Sequence, residues 1–190
     1  MYKKIGVFVG YKNREIELKL LAKNIKSIED VAKKIEKVFN YKKTVCGKSK
    51  DVYWDPIKGC KADFVRLRNY PESWPEVTVK YTDRGSNFDR VEIDLSVESS
   101  KNATEIMKSL LGDPRGSITK EYQVYFLDDK DTNISVYKIE KDSRIFIEIE
   151  ARTKKKVLEV KNSLSKYIPE LELSVIEKSL YEIFLNKKKS

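Results

Sequence analysis

Charged and aliphatic residues alternate along several short segments of the chain. The first of these, residues 15–20, reads Glu-Ile-Glu-Leu-Lys-Leu. Because successive side chains of a β-strand point to opposite faces, such a segment predicts a strand with one ionic and one aliphatic face. Strands of this kind are predicted at residues 15–20, 64–68, 76–80, 90–95 and 144–150. Weaker alternation predicts two more, at residues 120–126 and 133–139.

Other segments place their apolar residues at the spacing of an amphipathic helix. Helices are predicted at residues 27–40, 102–111, 153–167 and 175–185. Ser27 is the expected N-cap of the first helix, and Gly112 is expected to end the second. The pattern therefore predicts an α+β fold in which helices pack outside a large antiparallel sheet. The 190 residues contain no linker rich in Gly, Ser or Pro, so we expect one domain spanning residues 1–190.

Three of the predicted strands carry two like charges on the same face. These pairs are Glu15 with Glu17, Arg66 with Arg68, and Glu148 with Glu150. Like charges ~7 Å apart repel by about 2 kcal/mol at an effective dielectric constant of ~20. A sheet closed into a barrel would turn these pairs inward, where carboxylates hold a divalent cation and arginines neutralise phosphate. A solvated ionic face on an open sheet is the alternative, and spacing alone does not decide between them.

The composition narrows the chemistry that such a face can perform. The chain has no histidine, which excludes an imidazole base, a Ser-His triad and histidine-ligated zinc. A metal would be held by carboxylate oxygens, which favour Mg²⁺, Mn²⁺ or Ca²⁺. Cys46 and Cys60 are the only cysteines. One disulfide between them is compatible with the sequence, but we expect two reduced thiols, which are typical of a cytosolic protein. With no signal-peptide pattern and no membrane-spanning apolar run, we expect a cytoplasmic protein without a membrane partner.

The positive charge of the chain raises a different class of function. Lys and Arg number 39 and Asp and Glu 30, giving a net charge of +9. Lysines cluster at residues 33–37 and 154–156, which is compatible with nucleic-acid binding. The aromatic residues, however, are not interleaved with Arg or Gly as in an RNA-binding sheet. Most of these lysines are therefore expected to be solvated, although they can steer an anionic ligand or the 5′ triphosphate end of an RNA.

Several short motifs, taken in order, resemble the CYTH family, the triphosphate tunnel enzymes. The opening Glu-x-Glu-x-Lys signature is matched by Glu15, Glu17 and Lys19. Asp51–Asp55 resembles the Asp-x-Tyr-x-Asp segment of the family. The later matches, in chain order, are Arg66 and Arg68, Lys80, Arg90 and Glu92, Lys120, Glu148 and Glu150, and the C-terminal segment 179–185. The resemblance covers roughly residues 11–186.

The resemblance implies an eight-stranded antiparallel barrel that binds a triphosphate together with Mg²⁺ or Mn²⁺. The implied metal ligands are Glu15, Glu17, Glu92, Glu148 and Glu150, with Glu92 either joining the metal or orienting the basic residues. The implied substrate-binding residues are Lys19, Arg66, Arg68, Lys80, Arg90 and Lys120. Glu15, Glu17, Lys19 and Lys120 are the implied catalytic residues.

Three positions depart from the pattern of the family. Tyr122 stands two residues after Lys120, where the family usually has an arginine. Lys138 stands where the family usually has an aspartate ten residues before the closing Glu-x-Glu. Ser143-Arg144 replaces the usual Leu-Gly turn before the last strand. These departures imply altered metal geometry or lost catalysis.

Three functions are therefore expected in turn. The first is metal-dependent hydrolysis of an inorganic or organic triphosphate, such as tripolyphosphate or a nucleotide. The second is cyclisation of ATP, as in the class IV adenylyl cyclases, which also needs a base pocket that no motif marks. The third is binding of a nucleotide or triphosphate without turnover, which the departures at Tyr122 and Lys138 favour.

Overall fold

A computed structural model describes residues 12–25, 27–71, 73–82, 89–129 and 131–185, apart from the side chains of residues 12–15, 82, 89 and 90. The strands are β1 (Lys12–Ala22), β2 (Tyr41–Trp54), β3 (Phe64–Asn69), β4 (Glu76–Thr82), β5 (Asp89–Ser96), β6 (Gly116–Leu127), β7 (Asn133–Ile139), β8 (Ile145–Ala151) and β9 (Ser174–Ile176). The helices are α1 (Ile28–Val38), α2 (Ser100–Leu111), α3 (Lys154–Tyr167) and α4 (Leu180–Phe184), with a short 3-10 helix at Pro169–Leu171.

The seven strands predicted from alternation are all present, and most are longer than predicted. The sequence pattern predicted no strand at β2, whose first half reads Tyr-Lys-Lys-Thr-Val-Cys-Gly-Lys. This half is largely exposed and pairs only with β6 in the described structure, from Tyr41 opposite Leu127 to Lys48 opposite Glu121. This half is therefore an exposed edge of the sheet, since β6 pairs with β7 on its other side. An exposed edge needs no aliphatic face, so it lacks the alternation that marks a half-buried strand.

Three of the four predicted helices are confirmed with their caps. The side chains of Ser27 and Thr153 accept hydrogen bonds from backbone N–H groups in the first turns of α1 and α3, and Gly112 ends α2. The prediction of a helix over residues 175–185 was wrong for its first half. Residues 174–176 form β9, and Ser179 starts α4 with a reciprocal capping box to Glu182. This box fixes the start of the helix four residues later than the apolar spacing indicated.

The sheet is antiparallel and has nine strands rather than the eight predicted. The order is β5-β4-β3-β2-β6-β7-β8-β1-β9. The first part of β1 also pairs with β5, from Lys12 opposite Ile93 to Ile16 opposite Asp89. The next part of the same edge, Lys19 to Leu21, pairs with β9 instead. Because β5 and β9 share one edge of β1, the sheet is not the simple closed eight-stranded barrel that was predicted.

The outer face of the sheet carries the aliphatic half of each alternating strand. One apolar cluster joins β1, β6, β7 and β8 to α1 and α3, with Leu20, Ile147 and Leu164 fully buried. A second joins β2, β3 and β4 to α2, with Trp54 and Leu67 fully buried. The helices therefore cover the aliphatic face, as predicted, and the other face is left to the charged residues.

The inner face divides into two layers. At one end lies an apolar layer, which consists of Tyr53, Phe64, Ile118, Ile139 and Phe146. The helix α4 packs on this layer: the ring of Tyr181 lies 5.5 Å from that of Phe64 and 5.9 Å from that of Tyr53. The rest of the inner face carries the charged residues. Thus α4 packs at the end of the inner face, not outside the sheet with the other helices.

No helix in the described part of the chain is both long enough and apolar enough to cross a lipid bilayer.

Candidate functional site

The alternation of the strands brings the charged residues of distant segments to one cavity of about 250 Å³. Each side chain comes from the ionic face of its strand, opposite the aliphatic face that the helices bury. The cavity is lined by Glu17, Ser49, Arg66, Arg68, Tyr70, Glu76, Lys80, Glu92, Asp94, Lys120, Tyr122, Val124, Ser135, Tyr137, Glu148 and Glu150. Of the nine predicted site residues with described side chains, all but Lys19 line it.

Three carboxylates converge in this cavity. One oxygen each of Glu17, Glu148 and Glu150 lies within 4.8 Å of the other two, and we call this group the carboxylate cluster. Register explains the convergence, because Glu17 on β1 lies opposite Glu150 on β8, and Lys19 lies opposite Glu148. Three hard oxygen donors at this spacing fit Mg²⁺ or Mn²⁺.

The carboxylate cluster is rich in negative charge. Burial, together with the charges of Glu148 and Glu17, raises the pKa of Glu150 to about 7. A neutral donor, Asn133, contacts the cluster, and its Nδ2 donates to Glu150 Oε2 at 2.9 Å. A cation bound between the three glutamates would relieve this repulsion.

Two lysines border the carboxylate cluster. Lys19 Nζ lies 3.2 Å from Glu148 Oε1. Lys80 Nζ donates to Glu17 Oε2 at 2.7 Å and also contacts Glu92. Burial alone would lower the pKa of Lys80, but the charges of Glu17 and Glu92 hold it above its usual value. Glu92 is not part of the carboxylate cluster. Of the two roles predicted for it, metal ligand and orienting group, its contact with Lys80 fits the orienting role.

A second group, the Asp51 cluster, consists of Asp51, Arg68 and Lys120. Asp51 is fully buried and accepts from both Nε and Nη2 of Arg68, at 2.8 and 2.9 Å. Lys120 Nζ lies 3.2 Å from Asp51 Oδ2. Burial alone would raise the pKa of Asp51, but Lys120 and Arg68 hold it well below its usual range. Burial and the charge of Arg68 lower the pKa of Lys120 to about 8.

Arg66 lies between these clusters with part of its guanidinium unpaired. Its Nη2 donates to Thr78 Oγ1 at 2.9 Å and lies 3.8 Å from Glu76. Thr78 Oγ1 in turn donates to Asp94 at 2.8 Å. The Nε of Arg66 is buried and has no hydrogen-bond partner in the described structure. Arg66 therefore has an unsatisfied donor, shielded from solvent, beside the cavity that the residue lines.

One wall of the cavity carries hydroxyl groups and rings instead of charges. We call Ser49, Tyr70 and Tyr122 the tyrosine wall, because all three line the cavity from neighbouring strands or their ends. Tyr122, the residue at the usual arginine position, thus faces the cavity as the resemblance implies. Burial, followed by the neighbouring Tyr70, raises the pKa of Tyr122, so its hydroxyl stays neutral.

The second departure does not fall on the cavity. Lys138 lies opposite Ile145 on β8, and its neighbour Tyr137 is the residue that lines the cavity. Successive residues of a strand alternate in direction, so the two cannot both face inward. The inward residues of β7 are Asn133, Ser135, Tyr137 and Ile139, and none of them is an aspartate. Lys138, the residue at the usual aspartate position, therefore does not line the cavity.

Two predicted residues can be located only by their backbone. Glu15 on β1 lies opposite Arg90 on β5. Their side chains lie outside the described residues.

Sequence reasoning left several cavity residues unassigned. Asp51 was noted only as part of a motif, although it holds Arg68 and Lys120 in place. Glu76, Asp94 and Ser49 were not singled out, yet each follows from strand parity with a predicted residue. Glu76 shares a face with Lys80, Asp94 with Glu92, and Ser49 with the segment containing Asp51. Extending the period-two pattern along each strand would have found all three.

Acidic groups outnumber basic groups among the described side chains of the cavity. Its lining contains six carboxylates, of Glu17, Glu76, Glu92, Asp94, Glu148 and Glu150. It contains four cationic side chains, of Arg66, Arg68, Lys80 and Lys120. The excess negative charge would repel a polyanion from this part of the cavity unless a metal cation bound with it.

No protein-family model and no curated protein matches this chain by sequence. Solved structures do match its fold. PH1012 from Pyrococcus horikoshii OT3 is 22% identical with a TM-score of 0.68, over 88% of this chain and 98% of that one. A candidate adenylate cyclase from Vibrio parahaemolyticus is 15% identical with a TM-score of 0.66, over 91% and 98%.

A third structure carries an experimental finding about activity. HpAC1 from Hippeastrum, a candidate adenylyl cyclase whose structure is described as revealing a dominant triphosphatase activity, is 15% identical with a TM-score of 0.62. The match covers 90% of this chain and 94% of that one. At these identities the three structures show a shared fold. This shared fold is consistent with the CYTH resemblance.

Proposed function

We propose that the chain is a metal-dependent triphosphatase that binds its substrate in the cavity of the inner face. The carboxylate cluster carries this proposal, because Glu17, Glu148 and Glu150 place three oxygens within 4.8 Å beside a group of buried cations. The fold shared with HpAC1, whose triphosphatase activity is dominant, supports it. We further propose that the strands surround the substrate as a tunnel, since β1 pairs with both β8 and β5.

The residues of the cavity divide the work of binding. Glu17, Glu148 and Glu150 would hold Mg²⁺ or Mn²⁺, which supplies Lewis-acid polarisation of a phosphoryl oxygen and a nucleophilic water. Arg66 offers its unpaired Nε to a phosphate oxygen. Lys80 and Lys19, held by carboxylates, supply positive charge near the cluster. These fixed cations would stabilise charge that spreads over the phosphoryl oxygens in the transition state.

Binding without turnover is the second candidate, and one observation favours it. Tyr122 faces the cavity where the family places an arginine, so one cation that would stabilise the transition state is replaced by a neutral hydroxyl. Removing a single electrostatic stabiliser can cost ~10²–10³ in rate. Cyclisation of ATP is a third outcome with the same metal site. Whether the ligand is a small triphosphate or an RNA 5′ end is part of the same test.

The test measures products and binding together. The protein is incubated with tripolyphosphate, ATP, thiamine triphosphate and a 5′-triphosphate RNA, each with Mg²⁺, Mn²⁺ or EDTA. Released phosphate indicates hydrolysis, cyclic nucleotide indicates cyclisation, and metal-dependent binding without product indicates the second candidate. Binding of none of these compounds would overturn the proposal.

Matched variants show whether the carboxylate cluster is responsible. Glu148→Gln should remove metal-dependent turnover and weaken Mn²⁺ binding while leaving the fold intact. Glu105→Gln, an exposed position on α2, is the control for a lost carboxylate. Equal activity of Glu148→Gln and Glu105→Gln would place the metal elsewhere.

A further inference from the structure

The tyrosine wall lies on three adjacent strands of the cavity. Tyr70 follows the end of β3, Ser49 lies on β2 and Tyr122 lies on β6, and β2 is hydrogen-bonded to both neighbours. None of the three side chains carries a charge that would attract a phosphate. The guanidinium of Arg68 lies 6.0 Å from the centre of the Tyr70 ring, which marks the border between the wall and the charged part of the cavity.

The hydroxyl group of Ser49 is buried and unpaired in the described part of the chain. The residue is only 3% exposed, and its Oγ has no hydrogen-bond partner among the described residues. A buried hydroxyl left without a partner costs free energy, and such a group in a folded protein calls for an explanation. Ser49 lines the cavity although its Oγ is shielded from solvent, so a rotation of the side chain is needed to turn the hydroxyl group towards the polar edge of a ligand.

The position of Tyr122 depends on a glycine. Gly47 on β2 lies opposite Tyr122 on β6. A Cβ atom at position 47 would lie 3.2 Å from Tyr122 Oη and 3.5 Å from its Cζ. Glycine at this position therefore lets the phenol lie close against the backbone of β2, which leaves the rest of the cavity free for a ligand.

We propose that the tyrosine wall binds the nucleobase of a nucleoside triphosphate. This rests on the proposed function, in which the charged part of the cavity takes the phosphates. Every nucleobase has a π-face that stacks on aromatic rings, and a polar edge that the Ser49 hydroxyl can meet. Inorganic tripolyphosphate can accept a hydrogen bond but has no π-face to stack on the tyrosine rings, so the wall makes an organic triphosphate the preferred ligand.

The spacing of the two parts suits a single nucleotide. Tyr122 is on β6 and Glu148 is on β8, with β7 between them. Two interstrand spacings of ~4.8 Å separate their strands by about 10 Å. The base and the terminal phosphates of one nucleotide can therefore reach the tyrosine wall and the carboxylate cluster at the same time.

The experiment compares two ligands that share the triphosphate but differ in the base. Calorimetry in Mn²⁺ measures the binding of ATP and of tripolyphosphate to the unmodified protein and to Tyr122→Ala, Tyr70→Ala and Tyr122→Phe. Each alanine variant should weaken ATP binding by about tenfold, the lower part of the range for a lost stacking ring. Tripolyphosphate binding should not change, and Tyr122→Phe, which keeps the ring, should bind ATP as the unmodified protein does.

Controls separate folding from recognition. Thermal unfolding of each variant checks the fold, and Tyr122→Leu replaces Tyr122→Ala if the alanine variant unfolds. Tyr167→Ala removes an exposed tyrosine outside the cavity and should alter neither ligand. If both ligands bind the unmodified protein but the alanine variants lose both equally or neither, the nucleobase proposal is wrong and the triphosphate site stands. If neither ligand binds, the proposed function fails, and the nucleobase proposal fails with it.

Discussion

Asp51 and Glu150 both lie on the inner face of the sheet, but their surroundings shift their pKa values in opposite directions. Asp51 is enclosed by Arg68 and Lys120, and its pKa is held well below the usual range. Glu150 is buried beside Glu148 and Glu17, and its pKa rises to about 7. The Asp51 cluster has two cations around one carboxylate, whereas the carboxylate cluster has three carboxylates and two bordering lysines. A buried cluster whose carboxylate is fully paired stabilises the fold, and one with an excess of carboxylates favours a bound cation.

The largest effect is expected from disrupting the Asp51 cluster. Asp51→Ala leaves Arg68 and Lys120 buried without their shared counter-ion, so the free energy of unfolding should fall by about 3–5 kcal/mol. Denaturant titration at pH 7 measures this loss. Asp113→Ala, at an exposed position, is the matched control. A loss no larger than that of the control would mean that the Asp51 cluster does not support the fold.

Arg66, between the two clusters, should matter for binding more than for stability. Arg66→Ala removes the unpaired Nε and should weaken the binding of a metal–triphosphate by about 1.5–3 kcal/mol, the range for hydrogen bonds to charged groups. Calorimetry with tripolyphosphate and Mn²⁺ gives the difference. Arg152→Ala, an exposed arginine outside the cavity, should leave the affinity unchanged. Unchanged affinity in the Arg66 variant would show that phosphate does not reach this residue.

The charge of Lys120, a member of the Asp51 cluster, should make ligand binding depend on pH. Its pKa is lowered to about 8, so the ammonium group loses its proton as the pH rises through that value. Only the protonated form attracts an anion, and the affinity for triphosphate should therefore fall above pH 8, towards about tenfold per pH unit. Titrations from pH 7 to pH 9.5 follow this change. Lys120→Arg keeps its charge throughout, so its affinity should stay flat; a decline as steep as in the unmodified protein would assign the titration to another group.

The smallest effect is expected in the carboxylate cluster. It has the opposite sign from that of Asp51→Ala, because a substitution at Glu150 should stabilise the protein. Glu150→Gln keeps an oxygen for the Asn133 donor but removes one of three repelling charges. In EDTA this variant should be more stable by about 1 kcal/mol, or about 2–4 °C in Tm. In Mn²⁺ it should gain less stability than the unmodified protein, because it offers one ligand fewer. Thermal unfolding with and without Mn²⁺ measures both; a less stable variant in EDTA would contradict the comparison.

The sequence predicted the parts of the fold that rest on local periodicity. Strands with one aliphatic face and helices with clear caps were found because their patterns are set by burial and by local hydrogen bonds. The start of β2 and the short β9 have no such pattern, since they are held by pairing with β6 and β1. The nine-stranded sheet, with β5 and β9 sharing one edge of β1, depends on contacts between distant segments that periodicity does not encode.

The same distinction applies to the site. Parity along single strands placed Glu17, Arg66, Lys80 and Glu148 on the ionic faces of their strands, and the family resemblance predicted that these faces share one site. It did not show which charges pair across the sheet, and so it could not separate the Asp51 cluster from the carboxylate cluster. Nor did it show that Tyr137 and not Lys138 faces the cavity, because the register of β7 against β8 identifies the inward residue.

The apolar layer determines how a ligand can travel. Phe64 and Phe146 extend the inner face beyond the charged side chains, and α4 packs against them. A phosphate moved past these rings would lose its hydration and find no polar partner in exchange. A long polyphosphate therefore cannot be threaded through the sheet in this direction. A long polyphosphate would instead have to enter by one terminus and leave by the same path. Under the proposed function, each cleavage would then require a new binding event.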